Sequence, residues 1–229
     1  MRGLLLIAAI SAFSLVGGGC DSEGRDVARI RVFHASPDAP NIDVEIDSQA
    51  GYTDVGYGES TPYQTVDAGS RRFIVRSSNT GVVLVDETRS FRDERLFTYV
   101  VFDFTDTLGT LLVEDKDKLD DLDSAEIKVV NVSPSGGSLD VYITPPEADI
   151  ETSSPLLFDL EFTDVSEYIK VPFGPNRIRV TPSNSKTVIG DSGTVNLSLG
   201  QILTVMVIDA PGGGEPLSLV ILADRGKLN

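Results

Sequence analysis

Apolar and polar residues alternate with a period of two along much of the chain, as in Ile30 and Val32 and then Ile42, Val44 and Ile46. That spacing buries one face of an extended strand and leaves the other polar. Turn signals such as Ser36-Pro37 and Ala68-Gly69 separate the runs, and one later run, Leu96 to Phe104, is almost continuously apolar. Helical periodicity is absent. Val, Ile and Thr total 56 against 12 Ala, and β-branched side chains suit a pleated surface.

The pattern also repeats. Ala28-Arg-Ile-Arg-Val-Phe-His-Ala-Ser-Pro37 aligns with Ala125-Glu-Ile-Lys-Val-Val-Asn-Val-Ser-Pro134, Ile42 to Val44 with Leu139 to Val141, and Thr98 to Asp103 with Thr204 to Asp209. Two tandem domains are expected, at 28–116 and 125–225, joined by an acidic linker at 117–124. Each is near the size at which one core suffices without disulfides. Roughly seven short strands per copy predict an all-β fold of two immunoglobulin-like antiparallel β-sandwiches, with barrels as the alternative.

Residues 1–19 differ from the rest. Arg2 is their one charge, Leu4 to Val16 is apolar, and Gly17-Gly-Gly19 precedes the lone cysteine, Cys20. This is the pattern of a secretory signal, and its 13 apolar residues fall short of the roughly 18 that a spanning helix needs. Small residues before Cys20 resemble a bacterial lipoprotein box, which implies cleavage before Cys20, its lipidation, and a tether at 20–27. Gly17 departs from the Leu usual in such boxes. A thioether also removes a thiol that an oxidising compartment would otherwise pair. The expected location is the bacterial cell envelope, periplasmic or cell-surface, with membrane lipid as the partner through Cys20. Removing Arg2 leaves 18 basic and 35 acidic side chains, a net charge of −17. Such a body repels phosphates, which excludes nucleic acid, and is expected to stand off anionic headgroups.

The string Val32-Phe-His-Ala-Ser-Pro-Asp-Ala-Pro40, with Ile42-Asp43-Val44, Gly56-Tyr-Gly58 and Val66-Asp-Ala-Gly69, resembles a bacterial extracytoplasmic family known as domain of unknown function 4397. The resemblance spans most of 28–116 and is weaker in 125–225, where Asn131 replaces His34 and Ser135-Gly-Gly137 replaces Asp38-Ala-Pro40. It implies β-rich surface domains, often in tandem on lipoproteins, and no known activity.

Candidate chemistry is sparse. His34 could ligate a metal or act as a base. Its counterpart Asn131 shares only hydrogen bonding with it, so a turn-bracing role with Ser36, Pro37 and Asp38, matched by Ser133 and Pro134, is expected. Asp43 and Asp140 match, and with Glu45 and Asp47 they read as a solvated face rather than a Ca²⁺ site, for want of converging ligands. Glu114 to Asp123 reads as a self-repelling spacer, with a weak Ca²⁺ clamp as the alternative. Tyr57 and Tyr63 align with Phe162 and Tyr168 as packing residues, which leaves Tyr52 as a ligand-loop candidate. The longer loop Pro145 to Leu160 is the second copy's most individual feature. Neither a nucleophile with its base, a phosphate loop nor a metal motif is present, and no cofactor is expected. The reading is a non-catalytic binding, adhesion or spacer module, with an envelope protein or polysaccharide as partner. The alternative is an accessory carbohydrate-binding or glycan-hydrolysing protein.

Overall fold

The computed structural model describes residues 26–118 and 123–225. The signal, Cys20 and nearly all of the tether lie outside the described residues, as does the middle of the acidic linker. Among the described residues, sixteen strands form four four-stranded sheets, and the only helical element is a single 3-10 turn at Thr105–Thr107.

The first eight strands make two sheets. One has the order β4 (Gln64–Asp67), β1 (Val27–Ala35), β7 (Leu96–Phe102), β8 (Gly109–Asp115); the other has β3 (Gln49–Val55), β2 (Ile42–Ile46), β5 (Gly69–Ser77), β6 (Val83–Phe91). The second eight repeat this topology. The order β12 (Ile169–Val171), β9 (Ala125–Asn131), β15 (Ile202–Ile208), β16 (Ser218–Arg225) faces β11 (Leu157–Leu160), β10 (Leu139–Thr144), β13 (Gly174–Pro182), β14 (Gly190–Leu197). The result is two β-sandwiches of eight strands each. Pairing is antiparallel except for β1 with β7 and β9 with β15, which run parallel. The strand beyond the expected seven is a short edge strand, β4 or β12, too brief to show an alternation.

Each sandwich has its own core, the first around Ile30, Val32, Val44, Phe73 and Tyr99, the second around Ile127, Val129, Leu139, Ile178 and Val205. A third apolar cluster lies between the sandwiches, where Phe33, Val100, Phe102 and Val113 meet Val130, Val132, Met206 and Ile208. The β1 and β9 sheets therefore pack against each other, and the molecule has four layers. This accounts for the continuous apolar run. β7 and β15 are buried at every position because both of their faces are covered.

The layers share one direction. Leu96 and Asp115 pair at the end where β1 begins, and Ala125 with Val171, and Ile202 with Arg225, pair at the corresponding end of the second copy. Lys116 bonds Glu126 there. At the opposite end Tyr57 bonds the Asp209 carbonyl, and the Gly212 amide bonds the Pro37 carbonyl. Both sandwiches thus point the same way, related by a quasi-two-fold axis along the strands.

Candidate functional site

The motif turns sit at the end remote from the start of β1. His34 is fully buried at the end of β1; its Nδ1 accepts the Ser36 amide at 3.3 Å, and its Nε2 bonds the Pro40 carbonyl at 3.1 Å. Asn131 makes the same pair of contacts at the end of β9. Its Oδ1 accepts the Ser133 amide at 3.2 Å, and its Nδ2 donates to the Gly137 carbonyl at 2.8 Å and to Leu160 at 3.0 Å. The i to i+2 and i to i+6 bonds are thus common to both copies. Burial lowers the His34 pKa, which keeps the ring neutral and able both to donate and to accept.

The turns differ in their serines. Ser133 Oγ donates to Asp209, whose carboxylate also receives the Ser135 and Gly214 amides at 3.3 and 2.9 Å. Ser36 Oγ is buried with no partner, because Asp103, at the position of Asp209, instead accepts the Phe104 amide from a left-handed backbone. Asp38 accepts the amide and hydroxyl of Thr105 at 2.8 and 2.9 Å, tying the motif turn to the 3-10 turn. Pro37 supplies the carbonyl that the Gly212 amide reaches from the other sandwich.

Asp140 is not on a solvated face, and Asp43 is half-buried beside the exposed Asp47. Asp140 is buried and receives the amides of Asp159 and Asn184 at 3.1 and 3.0 Å, while Asp43 receives the Asp54 amide at 2.8 Å and the Ser78 hydroxyl at 2.6 Å. Asp54 and Asp159 both have positive φ. Each carboxylate fastens a left-handed residue on the neighbouring edge strand; both oxygens of Asp140 accept an amide, whereas Asp43 takes both of its bonds on Oδ1. Tyr52 does not offer a stacking surface either. It lies in β3, only 5% exposed, and its hydroxyl donates to the Ile30 carbonyl, while burial pushes its pKa up to about 12. Its isolation in the alignment reflects a core position that the second copy fills with a different side chain. Tyr57 stands edge-on to His34, and Phe162 edge-on to Phe102.

The linker run does not begin as a spacer. Glu114 and Asp115 belong to β8, and the Asp115 side chain is fully buried between the sandwiches. Lys128 Nζ donates to Asp115 at 2.9 Å and to the Glu114 carbonyl at 2.8 Å; the Tyr63 hydroxyl donates to the other Asp115 oxygen at 2.7 Å, and Thr98 also donates to it. The second copy mirrors this set. Arg31 donates to Asp224 and, at 3.0 Å, to the Ala223 carbonyl, while Tyr168 and Thr204 donate to Asp224 at 2.8 and 2.7 Å. Arg31 also lies over the Tyr63 ring and Lys128 over the Tyr168 ring, each 4.7 Å from the centroid. Two cations and two carboxylates thus form a quasi-symmetric network that crosses the interface twice. Burial and the nearby Asp115 raise the Asp224 pKa; burial works against the Arg31 charge, but Asp115 and Asp224 hold its pKa above the ordinary value. The sequence carried a signal for this network, since a base at 31 and 128, Thr at 98 and 204, and Asp at 115 and 224 recur at matching places in the repeat.

A groove of about 960 Å³ opens between the sandwiches at the end where β1 begins, with Arg29, Arg95 and Lys118 facing Glu94, Asp117 and Glu167. Among the described residues, no group of three or more His, Cys, Asp or Glu could hold a metal, and no helix is long and apolar enough to cross a membrane.

Among solved structures, a family CBM26 module from Eubacterium rectale Amy13K, in complex with maltoheptaose, aligns over 86% of this chain and 95% of its own, with 11% identity and a TM-score of 0.26. A leucine-rich repeat protein from Bacteroides thetaiotaomicron aligns over 81% of this chain and 26% of its own, with 10% identity and a TM-score of 0.23. No curated protein matches the sequence. Residues 28–142, which span the first sandwich, β9 and most of β10, match the domain of unknown function DUF4397, and the chain belongs to that family.

Proposed function

We propose that the chain is a lipid-anchored protein of the bacterial cell envelope that works without catalysis, as a rigid module for binding, adhesion or spacing. The observation that carries this reading is how the reactive side chains are used. His34 bonds the turn that follows it, Asp43 and Asp140 fasten edge strands, and Asp115 and Asp224 bind the sandwiches together. A general acid or base must reach a substrate proton, and His34, Asp115, Asp140 and Asp224 are buried and already occupied by the protein itself. Rigid fusion of two sandwiches suits a body that holds loops at a fixed distance from its anchor.

Two measurements test the reading. Metabolic labelling with an acyl probe should mark the wild-type protein at Cys20, and Cys20→Ser should lose the label and leave the membrane fraction; an unlabelled wild type rejects the anchor. Purified mature protein should release no reducing ends from cell-wall or extracellular glycans, and cross-linking in cells should capture envelope proteins or polymers. Turnover abolished by a single Asp→Asn change would instead establish the glycan-hydrolysing alternative.

A further inference from the structure

Two of the large apolar side chains exposed to solvent stand at the end where the tether enters. Phe173, in the β12–β13 turn, is 58% exposed, and Leu199, in the β14–β15 turn, is 53% exposed. The two turns are neighbours, because Gly174 and Leu197 pair across β13 and β14. The end is the tether's own. Val171 pairs with Ala125 at the start of β9, and Lys116 beside the start of β1 bonds Glu126. In the first copy Ala68, which precedes Gly69 as Phe173 precedes Gly174, donates its amide to the Asp26 carbonyl.

Charge is distributed along the same axis. The far-end loops 36–41, 56–63, 103–108, 132–138, 161–166 and 209–217 contain no Lys or Arg, but do contain acids such as Asp38, Asp103, Asp106 and Glu215. Lys186, on the β13–β14 connection, is committed to the Ser153 carbonyl. Near the tether, Arg29, Arg92, Arg95, Lys116 and Lys118 are interspersed with acids, so that surface is mixed in sign. Headgroup repulsion fades within a Debye length, about 8 Å at physiological salt. The net charge of the whole body therefore does not decide how its near end meets a bilayer.

We infer that the tether end is a membrane-contact face, with Phe173 and Leu199 seated in the interfacial layer of the bilayer and the two motif turns held at the far side. This rests on the proposed anchor at Cys20. The seven residues Cys20 to Asp26 reach about 25 Å at most when fully extended, so a lipidated Cys20 keeps this end within touching distance of the headgroups. Aromatic and aliphatic side chains on an otherwise polar surface partition into that layer. The other strongly exposed apolar residues are placed differently, Phe158 on the β11 flank and Val82 at the far-end β5–β6 turn.

The chain has no Trp and one Cys, which permits a direct test. Mature protein is coupled through Cys20 to a maleimide-bearing lipid in vesicles of phosphatidylethanolamine and phosphatidylglycerol that contain brominated acyl chains. Single reporters are Phe173→Trp, Leu199→Trp and, at the far end, Thr107→Trp. Trp at 173 and 199 should be quenched several-fold more strongly than Trp at 107, with emission shifted to the blue, and Phe173→Ser should weaken quenching at 199. Equal quenching at the three positions, or stronger quenching at 107, overturns the inference. Because the coupling is chemical, failure of native acylation would reject the anchor without altering this result, and an anchored protein whose reporters stay in water would reject the contact face alone.

Discussion

His34 and Asn131 show how one backbone task can be met by two side chains. Each accepts the amide two residues on and bonds the carbonyl six residues on, so His34→Asn should fold and keep most of its stability. The two should differ in pH dependence. A folded-state pKa lowered by burial from 6.5 means that the unfolded chain binds the proton more readily. The stability contributed by neutral His34 is therefore complete above about pH 6.5 and is lost as pH falls toward the lowered folded value. Denaturation midpoints at pH 7.5 and 5.5 should fall further for the wild type than for His34→Asn; equal losses would refute this assignment. Asp140→Ala leaves the Asp159 and Asn184 amides without their acceptor, at a cost of about 1–3 kcal/mol, readable in urea titrations.

At the scale of elements, β1 and β9 carry the design. Their even and odd positions serve different cores, with Ile30 and Val32 facing the first sandwich's own interior while Arg31 and Phe33 face the second sandwich. Arg31→Met would strand Asp224 without its cation inside a dry interface. Losing one member of a buried pair typically costs about 3–5 kcal/mol, whereas the exposed Arg72 and Asp86 pair is screened by solvent and contributes far less. Chemical denaturation of Arg31→Met and Arg72→Met should separate these magnitudes, and similar losses in both would show that the network is not the stronger bond.

For the whole molecule, the third apolar cluster and the doubled ionic network join two similar sandwiches into one body. We expect a single cooperative thermal transition by calorimetry in the wild type and two resolved transitions in Asp115→Asn, which weakens the docking and leaves each inner core intact. Two transitions already in the wild type would mean that the sandwiches fold independently. Fixed relative placement also gives the molecule distinct ends, one with the tether, Phe173 and Leu199 and one with the motif turns, and the proposed membrane-contact face depends on that.

Local alternation, turn chemistry and the internal repeat determined the all-β character and the doubled sandwich, because these depend on which residues neighbour one another along the chain. The bracing geometry at position 34 was legible in part, since its aligned partner limited what both residues could do. Tertiary structure alone decided the rest. Asp43 and Asp140 alternate like surface residues, yet each is bonded by segments from beyond its own strand, and Asp140 is buried there; Tyr52 sits in a Gly-rich stretch, yet a strand pairing turns it inward. Asp115 stands in an acidic run, yet a second sandwich supplies its cation. Whether a carboxylate is solvated or buried depends on what packs against it, and those partners come from segments far away in sequence.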